Sequence, residues 1–133
     1  MKLRIPQLAL LSCSVLLLAS CGGVSLPGEL QGRWLSQNTF GQFGDRQAFV
    51  FRQSEIEYDY VTTGGITDSW TTKVTNSFTT SNGVNIIETD GPNTFAWHVA
   101  GNTLYLDWGV PESELQALGS NWWATQADVY AKY

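Results

Sequence analysis

The chain has 133 residues, which is enough for one ordinary domain and too few for two. Seven basic residues against twelve acidic ones give a net charge of −5, and this balance argues against nucleic acid as a partner. With one histidine the chain has no multi-histidine metal site, and it contains no nucleophile elbow, phosphate-binding loop or dinucleotide fingerprint. We therefore expect no enzymatic activity, no cofactor and no bound metal.

The first twenty residues have the pattern of a secretory signal. A short basic start, "MKLR", precedes the apolar run "LALLSCSVLLLA", which contains no acidic residue. A membrane-spanning helix needs about 20 apolar residues, and this run is shorter and is interrupted by two serines and a cysteine. The pattern therefore predicts a signal peptide over residues 1–20.

The apolar run ends in "LASC", residues 18–21, and two glycines follow. Small residues directly before a cysteine at this position resemble the lipobox of bacterial lipoproteins. The resemblance implies cleavage before Cys21, a diacylglyceryl thioether on its sulfur and acylation of the new amino terminus. The alternative is a soluble secreted protein in which Cys21 has no such role. The residue directly after Cys21 is Gly22. An Asp at this position would resemble a signal for retention in the inner membrane, so its absence favours the outer membrane.

Processing at this site would change the chemistry of the mature chain. Cys13 would leave with the signal and Cys21 would be modified, so neither a disulfide nor a thiolate metal site is expected. Loss of Lys2 and Arg4 would leave five basic and twelve acidic residues, a net charge of about −7. Residues 21–29 are rich in Gly, Ser and Pro and predict a flexible tether of at most roughly 30 Å. The folded domain is then residues 30–133, and Cys21 is its contact with the membrane.

From residue 30 onward, short alternating segments separated by turn residues predict β-strands. The clearest alternation is "SEIEYDYV", in which Ile56, Tyr58 and Tyr60 share one face and acidic residues occupy the other. Two faces of opposite polarity indicate an antiparallel sheet that bounds a core. Strands are predicted at 30–36, 46–53, 54–61, 66–78, 84–90, 94–99, 103–108 and 121–133.

Two of these segments carry specific predictions about which side chains face the core. In the fourth, the shared-face residues are Ile66, Trp70, Val74 and Phe78. In the last, the inward residues are Trp123, Thr125, Ala127, Val129 and Ala131, while Gln126, Asp128 and Lys132 face outward. A short helix is predicted over residues 111–118, where Leu115 and Leu118 could seal one end of a barrel.

Eight strands joined by short turns, without a βαβ rhythm, indicate an all-β fold. An antiparallel sheet of this size exposes its edges unless it closes. We therefore predict a small up-and-down barrel with one short helix before the last strand, whose interior is wide enough for side chains or one small ligand. A two-sheet β-sandwich is the alternative.

The first strand carries a second resemblance. Leu30-x-Gly32-x-Trp34 resembles the Gly-x-Trp signature of lipocalin-like proteins, and the following loop, hairpins, helix and last strand fit the order of that family. The resemblance implies that Gly32 and Trp34 close the narrow end of the barrel and that a basic residue from late in the fold packs on the Trp ring. Lys132 is available, but the strand alternation predicts that it faces outward. Without the resemblance, Gly32 is a strand bulge and Trp34 one core aromatic among many.

Avidins share a similar first strand and a closing Trp-x-x-Thr pattern, which Trp122 and Thr125 match. The polar residues that bind their ureido ligand are not found at matching positions. Biotin binding is therefore not expected.

All seventeen aromatic residues lie beyond residue 30, and they have two interpretations. They either fill the barrel or line a pocket for a small apolar or amphipathic ligand, for which the candidates are Phe40, Phe43, Tyr58, Trp70, Trp97 and Trp108. If the aromatic residues line a pocket, the protein is a membrane-anchored binding protein, which is the first functional hypothesis. If they fill the barrel, it is a structural or interaction lipoprotein that meets another envelope protein, which is the alternative. A cavity above about 300 Å³ at the loop end would favour the first, and a filled interior would favour the second.

The remaining polar candidates are expected on the outer surface. His98 alternates with Trp97 and is predicted on an outer or rim face. Glu55, Glu57 and Asp59 alternate with apolar residues and are predicted to form a solvated outer stripe rather than a catalytic carboxylate pair.

Overall fold

A computed structural model describes residues 24–39, 44–109 and 111–133. These residues form eight strands and two short helices. In chain order the elements are β1 (Gly32–Ser36), β2 (Arg46–Phe51), β3 (Glu55–Thr62), β4 (Gly65–Thr79), β5 (Asn85–Thr89), β6 (Thr94–Ala100), β7 (Thr103–Trp108), α1 (Glu112–Gln116), α2 (Trp123–Gln126) and β8 (Asp128–Lys132).

The strands form a closed barrel in which each strand pairs antiparallel with the next. The ring closes between β1 and β8, where Trp34 lies opposite Lys132 and Ser36 lies opposite Tyr130. Closure pairs both edges of the sheet, which would otherwise be open to other chains. The predicted eight-stranded antiparallel barrel is confirmed, and the β-sandwich is excluded.

The two ends of the barrel differ in construction. The end at which β1 starts holds the short β2–β3, β4–β5 and β6–β7 connections and is called the closed end below. The opposite end, called the mouth, holds the β3–β4 and β5–β6 turns and the long connection between β7 and β8.

The segment before β1 plugs the closed end. Leu26 and Leu30 are 2% and 0% exposed and belong to the core inside the barrel. The backbone N–H of Leu26 donates to the carbonyl of Gln53 at 2.7 Å, which fixes the segment to the β2–β3 turn. The sequence predicts a flexible tether up to residue 29, but residues 24–29 lie against the barrel. The folded part therefore begins nearer to Cys21 than the composition suggested.

An irregularity in β4 changes the face of its last residues. The register between β4 and β5 shifts between Val74 and Asn76. Val74 packs inside the barrel, whereas Phe78 lies beside Ile86 and packs on the outer face. Ile66, at the other end of β4, is 51% exposed. The prediction that these residues share one inward face is wrong for Phe78 and Ile66, because alternation cannot be counted across a bulge.

The connection between β7 and β8 contains two helices where one was predicted. α2 lies inside the segment predicted as the last strand. Leu115 and Trp122 pack with Ile86 and Ala96 in a second cluster on the outer face of β5 and β6. Leu115 and Leu118 therefore cover the outside of the barrel and do not seal its end. Among the described residues, neither helix has the length and apolar character needed to cross a membrane.

The inward face of β8 is the opposite of the predicted one. Tyr130 is fully buried and belongs to the core inside the barrel, while Val129 and Ala131 are only half-buried. Strand alternation places Asp128 and Lys132 on the same side as Tyr130. The prediction was wrong because it counted alternation from Trp123 to Ala127, where α2 interrupts the strand.

Candidate functional site

Aromatic rings fill the middle of the barrel. Phe49, on β2, is fully buried, and its ring centroid lies 5.3 Å from those of both Tyr58 and Trp108. The rings of Tyr130 and Phe95 lie 5.5 and 5.8 Å from Phe49. These distances are in the range of direct edge-to-face packing. The centre of the barrel is thus occupied by side chains in mutual contact.

The structure brings together three of the residues predicted to line a ligand pocket. Tyr58 stacks on Trp70 at 5.1 Å and lies 5.6 Å from Trp108. Their rings contact one another and do not surround an open space. Trp97 also faces inward but lies nearer to the closed end, opposite Asn85. Phe40 and Phe43 lie outside the described residues.

The polar groups of this cluster are neutral phenols and an amide. The Tyr130 hydroxyl donates to Gln47 Oε1 at 3.2 Å. Burial raises the pKa of Tyr130 well above its ordinary value, and it also raises the pKa of Tyr58. Both hydroxyls therefore stay protonated at neutral pH, and neither is activated as a nucleophile or base.

A cavity of about 250 Å³ lies at the rim of the mouth, where β4 passes the β5–β6 turn. Trp70 forms its apolar wall, and Asp90 and Thr72 are among its polar residues. The Thr72 hydroxyl donates to Asp90 Oδ1 at 2.8 Å, and the Lys73 backbone N–H donates to the same oxygen at 3.0 Å. These two bonds lower the pKa of Asp90, so its carboxylate remains ionised at the rim.

Three further cavities of about 160 to 310 Å³ occur in the part of the chain that the structure describes. They lie at the closed end, on the outer face of the β1–β8 seam and beside α1. None of the four is lined by Phe49, Tyr58, Trp108 or Tyr130. The described interior is therefore packed at its centre, and these four cavities lie at the mouth, at the closed end, on the outer face of the β1–β8 seam and beside α1.

The closed end is built around Trp34. Its ring is fully buried, and its indole Nε1 donates to the carbonyl of Leu30 at 2.8 Å. Lys132 Nζ lies 4.7 Å from the centroid of this ring and donates to the carbonyl of Gln31 at 2.7 Å. The expectation that Lys132 faces away from the ring is therefore wrong, because the alternation of β8 was misassigned.

Gly32 makes room for this lysine. Its φ of 127° lies in a region that other residues rarely adopt. A Cβ on Gly32 would lie 2.9 Å from Lys132 Cε, closer than side chains can approach. The Gly-x-Trp pair and Lys132 thus form one packed unit across the β1–β8 seam.

The closed-end cavity has a volume of about 310 Å³ and lies between the plug segment and the end of the β4–β5 hairpin. Its lining includes the apolar residues Val24, Pro27 and Trp97 and the polar residues Ser77 and Asn85. Trp97 is 4% exposed, and its indole Nε1 is buried without a hydrogen-bond partner among the described residues.

The acidic face of β3 is only partly solvated. Arg52 lies 2.7 Å from Glu57 and 3.7 Å from Glu55. Asp59 is fully buried, accepts a hydrogen bond from the Ser69 hydroxyl at 2.7 Å and lies 3.3 Å from Arg33 Nη1. The predicted solvated stripe is therefore wrong for Asp59, because the Arg33 side chain from β1 reaches across β2 and covers it.

His98 lies on the outer face of β6, as predicted. Its ring stacks on Trp123 at 4.5 Å and lies 5.9 Å from Tyr105. These contacts attach α2 to the barrel. In residues 24–39, 44–109 and 111–133, no group of three or more His, Cys, Asp or Glu side chains is placed to hold a metal ion.

The sequence analysis did not identify three residues that pack at the closed end and in the centre of the barrel. Tyr130 and Lys132 would have been found by counting alternation backwards from the chain end, where "VYAKY" is an uninterrupted strand apart from its last residue. Leu26 carries no such signal, because an isolated leucine in a Gly- and Pro-rich segment is typical of a tether. Its burial depends on the barrel end against which it packs.

No protein-family model matches the chain, and no curated protein or solved structure with a significant match was found.

Proposed function

We propose that the protein is a lipoprotein of a bacterial cell envelope, anchored through Cys21, whose lipocalin-like barrel is a packed structural and interaction module. The observation that carries this proposal is the ring cluster around Phe49, which occupies the space where a carrier would hold its ligand. The mouth cavity of about 250 Å³ is also smaller than the volume of about 300 Å³ at which ligand pockets begin.

The position of the plug segment supports attachment at the closed end. Val24 packs against the core, and Cys21 precedes it by three residues, which span about 10 Å when extended. A lipid on Cys21 would therefore hold the closed end at the bilayer and direct the mouth away from it. An envelope protein partner would meet the mouth or the outer wall of the barrel.

The contact between Lys132 and Trp34 supports the lipocalin-like resemblance. The family pattern requires a basic residue from late in the fold on the Gly-x-Trp ring, and Lys132 occupies that place here. The resemblance describes the architecture of the closed end. The resemblance does not imply a ligand, because it concerns the closed end, and the ligand sites of lipocalin-like barrels lie at the mouth.

Anchoring is tested by the intact mass of the protein purified from bacterial membranes. We expect the mature chain to start at Cys21 and to carry the mass of a diacylglyceryl group with an additional acyl chain. Cys21→Ser should abolish this mass, whereas the matched control Cys13→Ser should leave it unchanged. An unmodified Cys21, or cleavage at another position, would contradict the proposed anchor and its localisation.

Binding of a small apolar or amphipathic molecule at the mouth is a second candidate function. It is favoured by Trp70, which is half-exposed, stacks on Tyr58 and forms the wall of the mouth cavity. Native mass spectrometry of the protein purified from its envelope would detect such a molecule. Its loss in Trp70→Ala, together with its retention in the outer-face control Trp123→Ala, would establish this function over the first.

A further inference from the structure

One stretch of strand edge extends beyond the ring of strand pairs at the mouth. β4 has fifteen residues, and β5 pairs with it only between Val74 and Thr79. The half of β4 before Val74 passes the end of β5, with β3 as its neighbour on one side. Among the described residues, no strand pairs with the other side of β4 between residues 66 and 72.

The hydrogen bonds around this edge show which backbone groups it offers. The carbonyl of Lys73 accepts from the Asp90 N–H at 3.0 Å, so the backbone groups of Lys73 point away from β3. Alternate residues of an antiparallel strand point to the same side, so Ser69 and Thr71 also point away from β3. The Ser69 N–H donates to the Asp68 carboxylate at 3.0 Å. The N–H and C=O of Thr71 and the C=O of Ser69 therefore face the space where a further strand would lie.

That space is the mouth cavity of about 250 Å³. Thr71 lines it on one side, and the β5–β6 turn at residues 91–93 lines it on the other. Neighbouring strands of a sheet lie about 4.8 Å apart, so an extended chain that pairs with Thr71 would occupy the cavity. The edge of β4 over residues 66–72 and this cavity are together called the mouth notch.

The side chains on the inward side of the mouth notch favour a cation. Trp70 pairs with the inward-facing Tyr58, so strand alternation places Asp68 and Thr72 on the same side as Trp70. The Trp70 ring stacks on Tyr58 and also lines the cavity. Asp90 lines the cavity with an ionised carboxylate. An aromatic ring next to two carboxylates is suited to a Lys or Arg side chain.

A second copy of this chain suits the mouth notch less well than a single foreign strand. Two β4 edges in contact would bring two acidic mouths together, because Lys73, the one basic residue in this half of β4, lies on the outer face. Each copy would also bring β3 with β4 into a space bordered by the β5–β6 turn. A single extended segment with a basic side chain has neither conflict.

We propose that an extended segment of an envelope protein pairs antiparallel with β4 in the mouth notch and places a Lys or Arg side chain on Trp70, between Asp68 and Asp90. Thr71 supplies a backbone donor and an acceptor, and Ser69 supplies a second acceptor. The backbone bonds provide affinity, and the basic side chain provides selectivity. This inference rests on the interaction role proposed above and names the surface and the kind of partner.

The test is an NMR titration of the ¹⁵N-labelled full chain in uncharged detergent micelles. The probe is the acetylated and amidated peptide Thr-Val-Thr-Lys-Thr-Val-Thr, whose third and fifth residues lie opposite Thr71 and Ser69 when its Lys lies opposite Trp70. We expect saturable shifts of the Thr71 amide and the Trp70 indole, with cross-strand contacts between the peptide and β4. The same peptide with Glu in place of Lys should bind roughly tenfold more weakly, because it faces two carboxylates.

Two changes remove the backbone bonds and keep the side chains that select the peptide. A peptide methylated at the backbone nitrogens of its third and fifth residues should not bind. Thr71→Pro removes an N–H that points into the mouth notch and that the barrel does not use, so the variant should fold and lose binding. The matched control Thr71→Ala keeps the N–H and should bind as the wild type does. Thermal unfolding checks both variants, and the methylated peptide tests the same bonds in the wild type.

Four results would overturn the proposal. Equal binding of the methylated peptide would exclude strand addition. Shifts confined to His98 and Trp123 would move the interaction to the outer wall and leave the proposed interaction role in place. Shifts of Thr71 that follow protein concentration without peptide would assign the mouth notch to a second copy. Saturable shifts centred on Phe49 and Tyr130 would place the peptide inside the barrel and would contradict the proposed packed module as well.

Discussion

At the scale of single residues, the closed end depends on contacts that join the first and last strands. Trp34 uses its ring to fill the core, its Nε1 to bond Leu30 and its outer face to contact Lys132. Gly32 permits this contact by its positive φ and its missing side chain. Gly32, Trp34 and Lys132 thus link the plug segment, β1 and β8.

Trp34→Ala should lower the free energy of unfolding by about 3–5 kcal/mol, because it removes a fully buried ring and leaves a cavity. Lys132→Ala removes only the partly exposed cation–π contact and one hydrogen bond, and should cost about 1 kcal/mol. Urea denaturation of both variants measures the difference. Equal, small losses would mean that Trp34 does not close the barrel.

The Arg33–Asp59 pair is the other residue-scale feature with a measurable cost. Asp59 is fully buried, and its Oδ2 lies 3.3 Å from Arg33 Nη1 without hydrogen-bond geometry. Arg33 therefore stabilises the Asp59 carboxylate chiefly by its charge. Arg33→Ala should lower the free energy of unfolding by about 3 kcal/mol, because it leaves a buried carboxylate without its counter-charge.

A double-variant cycle with Asp59→Ala tests this pairing. The double variant should lose less stability than the sum of the two single variants, because removing both partners leaves no uncompensated charge. Strictly additive losses would show that the two side chains do not interact.

At the scale of elements, Glu112 of the short helix α1 lies close to Glu88 of β5. A hydrogen bond with Glu88 raises the pKa of Glu112 above its ordinary value, and Gln116 Nε2 donates to Glu112 at 2.7 Å. A raised pKa in the folded state means that folding favours the protonated carboxyl. Its stabilisation is complete below the unfolded pKa of about 4.3 and is lost as pH rises through the folded value.

Glu112→Gln should therefore be more stable than the wild type at pH 7, where it removes repulsion between two carboxylates. This advantage should shrink as the pH falls towards about 4, because the wild-type carboxyl then becomes protonated. Thermal unfolding at several pH values measures the effect, and Glu88→Gln should show the same trend. A pH-independent difference would contradict the hydrogen bond between the two side chains.

Strands with uninterrupted alternation were predictable from the sequence, and elements that depend on distant packing were not. Ile56, Tyr58 and Tyr60 face inward as their spacing predicts, because β3 is regular over these residues. Phe78 and Tyr130 escaped prediction because a bulge and a helix reset the alternation before them. Leu26 escaped because its burial is a tertiary effect without a local pattern.

At the scale of the whole molecule, charge is unevenly distributed along the barrel axis. Asp45, Asp68, Asp90 and Asp128 lie at the mouth together with Arg46, whereas the closed end holds Arg33, Arg52 and Lys132 together with Glu29 and Glu55. An anionic bilayer surface would repel the mouth and tolerate the closed end. The charge distribution thus agrees with an anchor at the closed end.

The function of the aromatic residues could not be predicted from the sequence alone. Tyr58, Trp70 and Trp108 face inward, as expected, but alternation does not reveal whether inward rings surround a ligand or one another. The decision depends on the diameter of the barrel and on Phe49, which contacts five aromatic rings at its centre. Only the packed structure contains that information.

The central claim is that the interior of the barrel is a core and not a ligand pocket. Its most direct test is a fluorescence titration with N-phenyl-1-naphthylamine, which brightens in apolar cavities, comparing the wild type with a folded Phe49→Ala variant. We expect no saturable binding inside the wild-type barrel and the appearance of a site in Phe49→Ala, where the central ring is removed. Saturable binding to the wild type that Trp108→Ala abolishes would contradict the account and identify the barrel as a carrier.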